Sequence, residues 1–377
     1  MMTKVQGVII CPLVGLLLIP TIAHAQIATH INISGVVRDD STSKPIENAD
    51  VFVANTTLGC GTDQYGRFEL KNVLLGSHEI AVSRVGYKIG SIRMNLLEQG
   101  NKEIEIRLRQ KSILVGETVV TAPDPSEWRK QLKRFSDLFL GTSDAAKKCK
   151  IVNSEVLDFS EADNSFQATA LAPLEIDNLA LGYHLHFELT LFRVTNESRI
   201  ADWSSPEGIL TYQGLPKFTE LQSSSDEEKA RWIENRLRVF RGSLRHFLAS
   251  LYAKELQKNG FSIVSMPNAD ANAWRAPREA VNEDDITIEG GGPWGRVLHF
   301  EGLLLVNYGR EGPESDFPRL NIFSGNVQTS WIRLNYRNLS LNSRGLIKEM
   351  LPLKAYGYWA WKRVGDLLPL DFEPSAN

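Results

Sequence analysis

Cysteine is scarce in this 377-residue chain: three in all, too few for a disulfide-dense scaffold or a multi-cysteine zinc framework. A surplus of either charge is lacking too. Lys and Arg total 42 against 45 Asp and Glu, a formal net charge of −3, so no global basic field draws in nucleic acid. Beyond residue 25 no run of roughly eighteen apolar residues occurs, so no transmembrane helix is expected. Short catalytic motifs are missing as well: there is no G-x-S-x-G elbow, Walker loop, EF-hand loop or H-E-x-x-H helix. What is present is ordinary: 42% hydrophobic and 23% charged residues, with 28 Gly and 16 Pro. Those values exclude collagen-like and wholly disordered chains, and the length suggests about two or three domains.

Residues 1–25 read as an export signal. Lys4 supplies the positive start, Val8 to Ile22 an apolar run, and Ala23-His24-Ala25 a small-x-small cleavage pattern. Ile10 ahead of Cys11 argues against a lipoprotein signal. Cleavage would remove Cys11 and leave Cys60 and Cys149 in an oxidising compartment. Either these two form one bridge between the N-terminal domain and the C-terminal region, or they stay as separate thiols; spacing alone does not decide.

From residue 26 to 110 short strands alternate with turns, as in a small antiparallel β-sandwich. The strands are Ile31–Val37, Ala49–Ala54, Arg67–Leu70, Glu79–Ser83, Ile89–Asn95 and Lys102–Arg107, with a short one over Leu58–Thr62. Gly35-Val36-Val37-Arg38-Asp39, Pro45-Ile46, Ala49-Asp50-Val51, Gly61-Thr62-Asp63, Gly66-Arg67-Phe68, Gly76 and Gly86-Tyr87 occur in that order. Together they resemble the carboxypeptidase-regulatory-like domain, a transthyretin-like sandwich common in secreted and outer-membrane proteins of Bacteroidota-type bacteria. The resemblance implies a non-catalytic module set ahead of another functional region. Peptidase activity is disfavoured, because none of the seven His has a Glu three residues later.

Residues 111–125 form the linker. Within it Glu117-Thr118-Val119-Val120-Thr121-Ala122 resembles a TonB-box segment, which implies strand addition to a partner's sheet edge, or else a last strand stopped by Pro123 and Pro125. Residues 126–377 read as an α+β domain with an antiparallel sheet and packed helices. Pro125, Glu127 and the spacing of Trp128, Leu132, Phe135 and Phe139 predict a first helix ending at Gly141. Ser225 and Glu228 open a second, with an apolar stripe of Ile233, Leu237, Phe240, Leu244, Phe247 and Leu251 and a kink or split at Gly242. Strands are expected at Phe166–Ala172, Tyr183–Val194, Val297–Tyr308, Val327–Tyr336 and Ala355–Trp361, and a long loop over 265–296. Pro173 to Ile176, Leu181 to Tyr183 and Phe139 to Gly141 are similar to uncharacterised envelope proteins with the same N-terminal domain. That resemblance implies a shared architecture and no known activity.

Three sets of residues suggest chemistry. On the strand from Tyr183 to Leu191 the odd-numbered residues face one way, while His184, His186 and Glu188 face the other. Two imidazoles at i and i+2, with His299 as a third, suit zinc; a half-buried strand with a polar outer face has the same pattern. Arg231, Arg238 and Arg245 recur every seven residues with Arg241 beside them, a stripe for anions or simply a solvated helix face. Tyr358, Trp359, Trp361, Trp274, Trp294 and Trp331 stack on sugars if exposed, or anchor cores. The pattern as a whole favours an exported, non-catalytic envelope module, periplasmic, outer-membrane-associated or secreted, that binds a glycan or protein partner without a cofactor. The alternatives are a metal-assisted hydrolase on His184 and His186, and an accessory factor docking to TonB-linked outer-membrane machinery.

Overall fold

The computed structural model describes residues 30–97, 100–111, 125–162, 165–195, 210–267, 277–292, 294–318, 326–349 and 352–374. The expected signal segment and the TonB-box-like segment lie outside them. Three main hydrophobic cores organise the chain.

The first belongs to the sandwich, built from β1 (His30–Asp39), β2 (Asp50–Val53), β3 (Gly59–Gly61), β4 (Arg67–Leu74), β5 (Gly76–Ser83), β6 (Gly90–Leu96) and β7 (Asn101–Leu108). Its sheets run β4-β1-β7 and β3-β2-β5-β6. Alternation works as the sequence predicts: Ile31, Ile33 and Val37 of β1 point inward. One pair departs from the antiparallel expectation, since β7 returns parallel to β1. A Cβ on Gly35 would sit 2.1 Å from the Ile104 carbonyl oxygen and 2.8 Å from the Phe68 ring, so only glycine permits this approach.

The second core holds α1 (Pro125–Phe139) against a sheet of β8 (Cys149–Ile151), β9 (Leu157–Ala162), β10 (Ser165–Ala170), β11 (Leu174–Asn178), β12 (Tyr183–Thr195) and β13 (Leu210–Glu220). The sheet order is β8-β11-β12-β10-β9, with β13 on the other edge of β12. Phe135 and Phe139 of α1 stack at 4.9 Å, and Phe139 meets Phe187 edge-on at 5.0 Å. The expected alternation of β12 holds through Phe187 and then fails. A bulge between Leu189 and Leu191 inserts one residue, so Phe192 and Val194 turn inward and Leu191 is 38% exposed.

The third core gathers α3 (Leu244–Ala253), α4 (Glu283–Ile286) and two further sheets. One contains β14 (Phe261–Met266), β15 (Glu279–Ala280), β18 (Leu303–Tyr308), β19 (Gln328–Leu334) and β21 (Leu353–Gly357); the other contains β16 (Thr287–Glu289), β17 (Arg296–Leu298) and β20 (Leu339–Leu341). The single strand expected over 297–308 is two, because Gly302 turns at φ 69° where a Cβ would strike the Met266 carbonyl oxygen at 2.3 Å. The strand expected to reach Trp361 ends at Gly357 and continues as α5 (Tyr358–Trp361). Part of the expected 265–296 loop is ordered, with α4 held by a capping box between Asn282 and Asp285.

The long helix expected from 226 is split. α2 (Asp226–Phe240) ends before Gly242 at φ 72°, and Ser243 caps α3 by accepting from the His246 N–H. The split gives the two helices to different cores. α2 buries Trp232 and Arg236 against the turn at 179–182, leaving Ile233 42% exposed, while α3 buries Phe247, Leu248 and Leu251 in the third core.

Asp39 closes β1 as a polar knot. It is 3% exposed and accepts from Ser41 Oγ at 2.6 Å, Thr42 N–H at 2.8 Å, Gln110 Nε2 at 2.9 Å and Tyr87 Oη at 3.0 Å. These bonds, Ser41's first, hold its carboxyl well below the usual carboxylate range. A depressed carboxyl adds stability above its unfolded-state pKa, and that stability is lost as pH falls toward the folded value. Asp39→Asn should therefore lower the melting temperature at neutral pH, with the gap from wild type narrowing below about pH 4. A gap unchanged by acid would show that Asp39 acts through shape alone.

Candidate functional site

The polar face of β12 carries the residues that the sequence singles out, and β11 lies antiparallel beside it. Register places Glu175 opposite His186 and Asp177 opposite His184. His184 Nδ1 donates to Asp177 Oδ1 and its Nε2 to Glu175 Oε2, each at 2.7 Å; His186 Nδ1 donates to Glu175 Oε1 at 2.8 Å. Glu175 thus bridges both rings. Glu188 Oε1 lies 3.8 Å from His186 Nε2 and accepts from Ser83 Oγ of the sandwich at 2.6 Å.

Burial opposes charge on both rings, but the carboxylates outweigh it. Glu175 and Asp177 raise the pKa of His184, and Glu175 and Glu188 raise that of His186 to about 9. His186 is therefore imidazolium at neutral pH, and both ring nitrogens of His184 are engaged by carboxylate oxygens, so neither ring offers a free lone pair to a metal. His299 does not join them; it comes just after β17 on another sheet, its N–H donating to the Ile286 carbonyl at 2.8 Å. Among the described residues no group of three or more His, Cys, Asp or Glu could hold a metal ion.

This face is the contact between sandwich and second core. Phe52 of β2 is fully buried, yet its neighbours Val51 and Val53 are the ones that enter the sandwich core. Its ring meets His186 edge-on at 6.3 Å, with Lys217 Nζ 5.9 Å from its centre. Lys217 of β13 also donates to both oxygens of Asp50 at 2.7 and 2.8 Å. Backbone pairing continues the joint, Asn55 N–H to Pro216 O at 2.6 Å and Phe218 N–H to Thr56 O at 2.9 Å. The tail then straps it: Leu370 N–H donates to Asn55 O at 2.7 Å, and Asp371 accepts from Thr57 N–H at 3.1 Å.

The arginine stripe comes apart where the helix splits. Arg231 is exposed, with Glu228 4.0 Å away. Arg245 donates to the carbonyl oxygens of Pro369 and Phe372 and so anchors the tail. Arg238 and Arg241 line a cavity of about 200 Å³ at the α2–α3 break, together with Gln328, Glu311, Glu314, Trp359 and Lys362. The arginine that sequence reasoning missed is Arg236. It donates to Leu181 O at 2.7 Å and Glu220 Oε1 at 2.6 Å and lies 3.9 Å over the Tyr183 ring. Its position among Trp232 and Phe240 on the buried face of α2 was the available signal.

No bridge joins Cys60 and Cys149, which are free. Their side chains pack against different cores, Cys60 on the sandwich and Cys149 on the second, and burial pushes the Cys149 thiol up to about 12. Trp331 and Trp294 are buried anchors, as are Tyr358 and Trp361 around Phe317. Trp359 is half-buried, and Trp274 lies outside the described residues.

Two measurements test the joint. Imidazoles with raised pKa contribute stability that is complete below about pH 6.5. It is lost as pH rises through the folded value, about 9 for His186. Glu175→Gln should lower the urea midpoint at pH 6, and the difference from wild type should close toward pH 9; a constant difference would refute the charge role. Phe52→Ala should cost about 3 kcal/mol or more and let the sandwich melt as a separate calorimetric step.

The family model described as CarboxypepD_reg-like domain matches residues 33–120. No curated protein matches the chain. Among solved structures it is similar to a type II cohesin–X-dockerin complex from Acetivibrio cellulolyticus, 28% identical over 20% of this chain and 51% of that one, TM-score 0.18. It is also similar to the shaft pilin SpaA of Lactobacillus rhamnosus GG, 13% identical over 23% of this chain and 48% of that one, TM-score 0.19. A third is the 3-chlorocatechol 1,2-dioxygenase of Rhodococcus opacus 1CP, 14% identical over 22% and 61%, TM-score 0.19. The chain thus spans about half the length of the first solved chains it matches. Residues 33–120 are a CarboxypepD_reg-like domain, whose described strands form the sandwich of β1 to β7.

Proposed function

We propose that the chain is an exported, non-catalytic cell-envelope module in which the sandwich is a mount and residues 126–377 recognise a glycan or protein partner. The observation that carries this reading is the engagement of His184, His186 and Glu188. The groups best suited by type to metal or acid–base chemistry are paired with carboxylates or a hydroxyl inside a contact between two sheets. Among the described residues Arg238, Arg241 and the Gln328 Oε1 stay unpartnered, and all three residues line the cavity at the α2–α3 break, together with the Trp359 indole and three carboxyl groups. Concave sites with a few placed polar groups are the usual form of a ligand pocket. The leader pattern of residues 1–25 and the settings in which the resembled domain occurs support export to the envelope.

Purified chain passed over immobilised envelope polysaccharides should be retained by at least one, and Trp359→Ala should reduce retention. Turnover of chromogenic esters, peptides and glycosides should stay at the uncatalysed rate with or without added zinc. Zinc-dependent turnover that disappears in His186→Ala would replace this reading with a hydrolase.

A further inference from the structure

We infer that the cavity at the α2–α3 break takes a carboxylated sugar, its carboxylate held by Arg238 and Arg241 and its ring face laid on Trp359. This rests on the binding-module reading above and names its ligand class.

The arginines argue first. Arg236 and Arg245 donate to backbone oxygens, whereas Arg238 and Arg241, both exposed, have no side-chain hydrogen bond or ion pair among the described residues. They lie three residues apart in the chain, and both line this cavity. The nearby His246 does not offset or add to that field. Burial, with help from Arg241 and Arg310, pushes its pKa down to about 4, and its Nδ1 accepts the Gly242 N–H at 3.1 Å. An anion at the rim would relieve two like charges and use the bidentate geometry that Arg offers carboxylates.

The acidic part of the lining limits how much negative charge fits. Lys362 is held between Glu314 and Asp366, and Asp366 also accepts from Ser143 Oγ at 2.7 Å. That cation is therefore committed, while Glu311, Glu314 and Asp366 all line the cavity. Three carboxyl groups in the same lining as two free guanidiniums favour a single negative charge over a doubly charged phosphate. They also favour a ligand rich in hydroxyl donors. Gln328 adds an acceptor: it is 7% exposed, donates through Nε2 to Gly312 O at 3.2 Å, and its Oε1 has no partner.

Shape completes the argument. Trp359 Nε1 donates to Gly242 O at 2.6 Å and the indole packs 5.6 Å from Phe247, so the ring is fixed before any ligand arrives. A volume of about 200 Å³ is below the roughly 300–1,000 Å³ of drug-sized sites. It suits one sugar unit, with the rest of a glycan outside. One carboxylate, several hydroxyls and one apolar ring face describe a uronic acid.

Ligand-observed NMR and calorimetry with D-glucuronate, D-glucose and inorganic phosphate test the inference. Glucuronate should bind saturably and glucose at least tenfold more weakly. The Arg238→Ala/Arg241→Ala double variant should lose at least tenfold in glucuronate affinity with an unchanged melting temperature, since both side chains are exposed. Equal binding of glucose and glucuronate, glucuronate binding untouched in the double variant, or phosphate binding in place of glucuronate would each overturn it. If glucuronate fails while a neutral polysaccharide is still retained, the ligand class falls and the binding reading stands. If nothing is retained, both fall.

Discussion

Phe52 is a large aromatic side chain on the outer face of a sheet, and the architecture depends on how it is covered. β2 sends Val51 and Val53 into the sandwich core, so strand alternation forces Phe52 the other way. Left bare it would be an exposed sticky patch. The face that covers it is polar, with two imidazoles, a lysine and three carboxylates. Such a face can lose water only if its charges are already paired, because an unpaired buried charge is penalised far more than a pair is rewarded. Glu175 bridging two rings and Lys217 gripping Asp50 meet that condition. The ion pairs are therefore best understood as the means by which a charged sheet tolerates a phenyl ring.

β12 is consequently paired on both edges, and ahead of its bulge it is occupied on both faces. One face supports the aromatic core under α1, the other meets the sandwich, β11 and β10 take one edge and β13 the second. A strand so enclosed positions other elements and has little left with which to meet a ligand. The groups that stay free are displaced to the place where the second and third cores meet. There the chain must pass from α2 to α3, and the Gly242 turn keeps side chains from closing the gap. A Cβ at that position would lie 2.6 Å from Gln328 Oε1 and 2.7 Å from the Tyr308 ring.

Local patterns were legible in the sequence and long-range ones were not. The sandwich strands could be read from period-two alternation between turns, and α1 from Pro125, Glu127 and its aromatic spacing. The Glu175–His186 and Asp177–His184 pairs lay within reach as well, since two alternating strands flank a short turn at 179–182. Setting Glu175 and Asp177 against the two histidines would have shown a hairpin of opposite charges before any metal was considered. The bulge after Leu189, the turn at Gly302 and the passage from β21 into α5 leave no such mark. Each is imposed by what the segment packs on. Docking of Phe52 is the extreme case, because its partner strand lies more than a hundred residues away.

The arginines show how one local event divides a regular pattern. At heptad spacing Arg231, Arg238 and Arg245 would share a stripe on a continuous helix. The Gly242 break rotates α3 away, so Arg245 reaches the tail and binds Pro369 and Phe372, while Arg238 and Arg241 keep their place beside the opening. The same break positions Trp359, whose indole N–H closes on the Gly242 carbonyl. Filling the break with a regular helical turn would remove the indole's anchor and the cavity's rim together. A single positive-φ glycine thus joins two cores, releases one arginine to hold the C-terminal strap over the sandwich, and leaves two others facing a ligand-sized space.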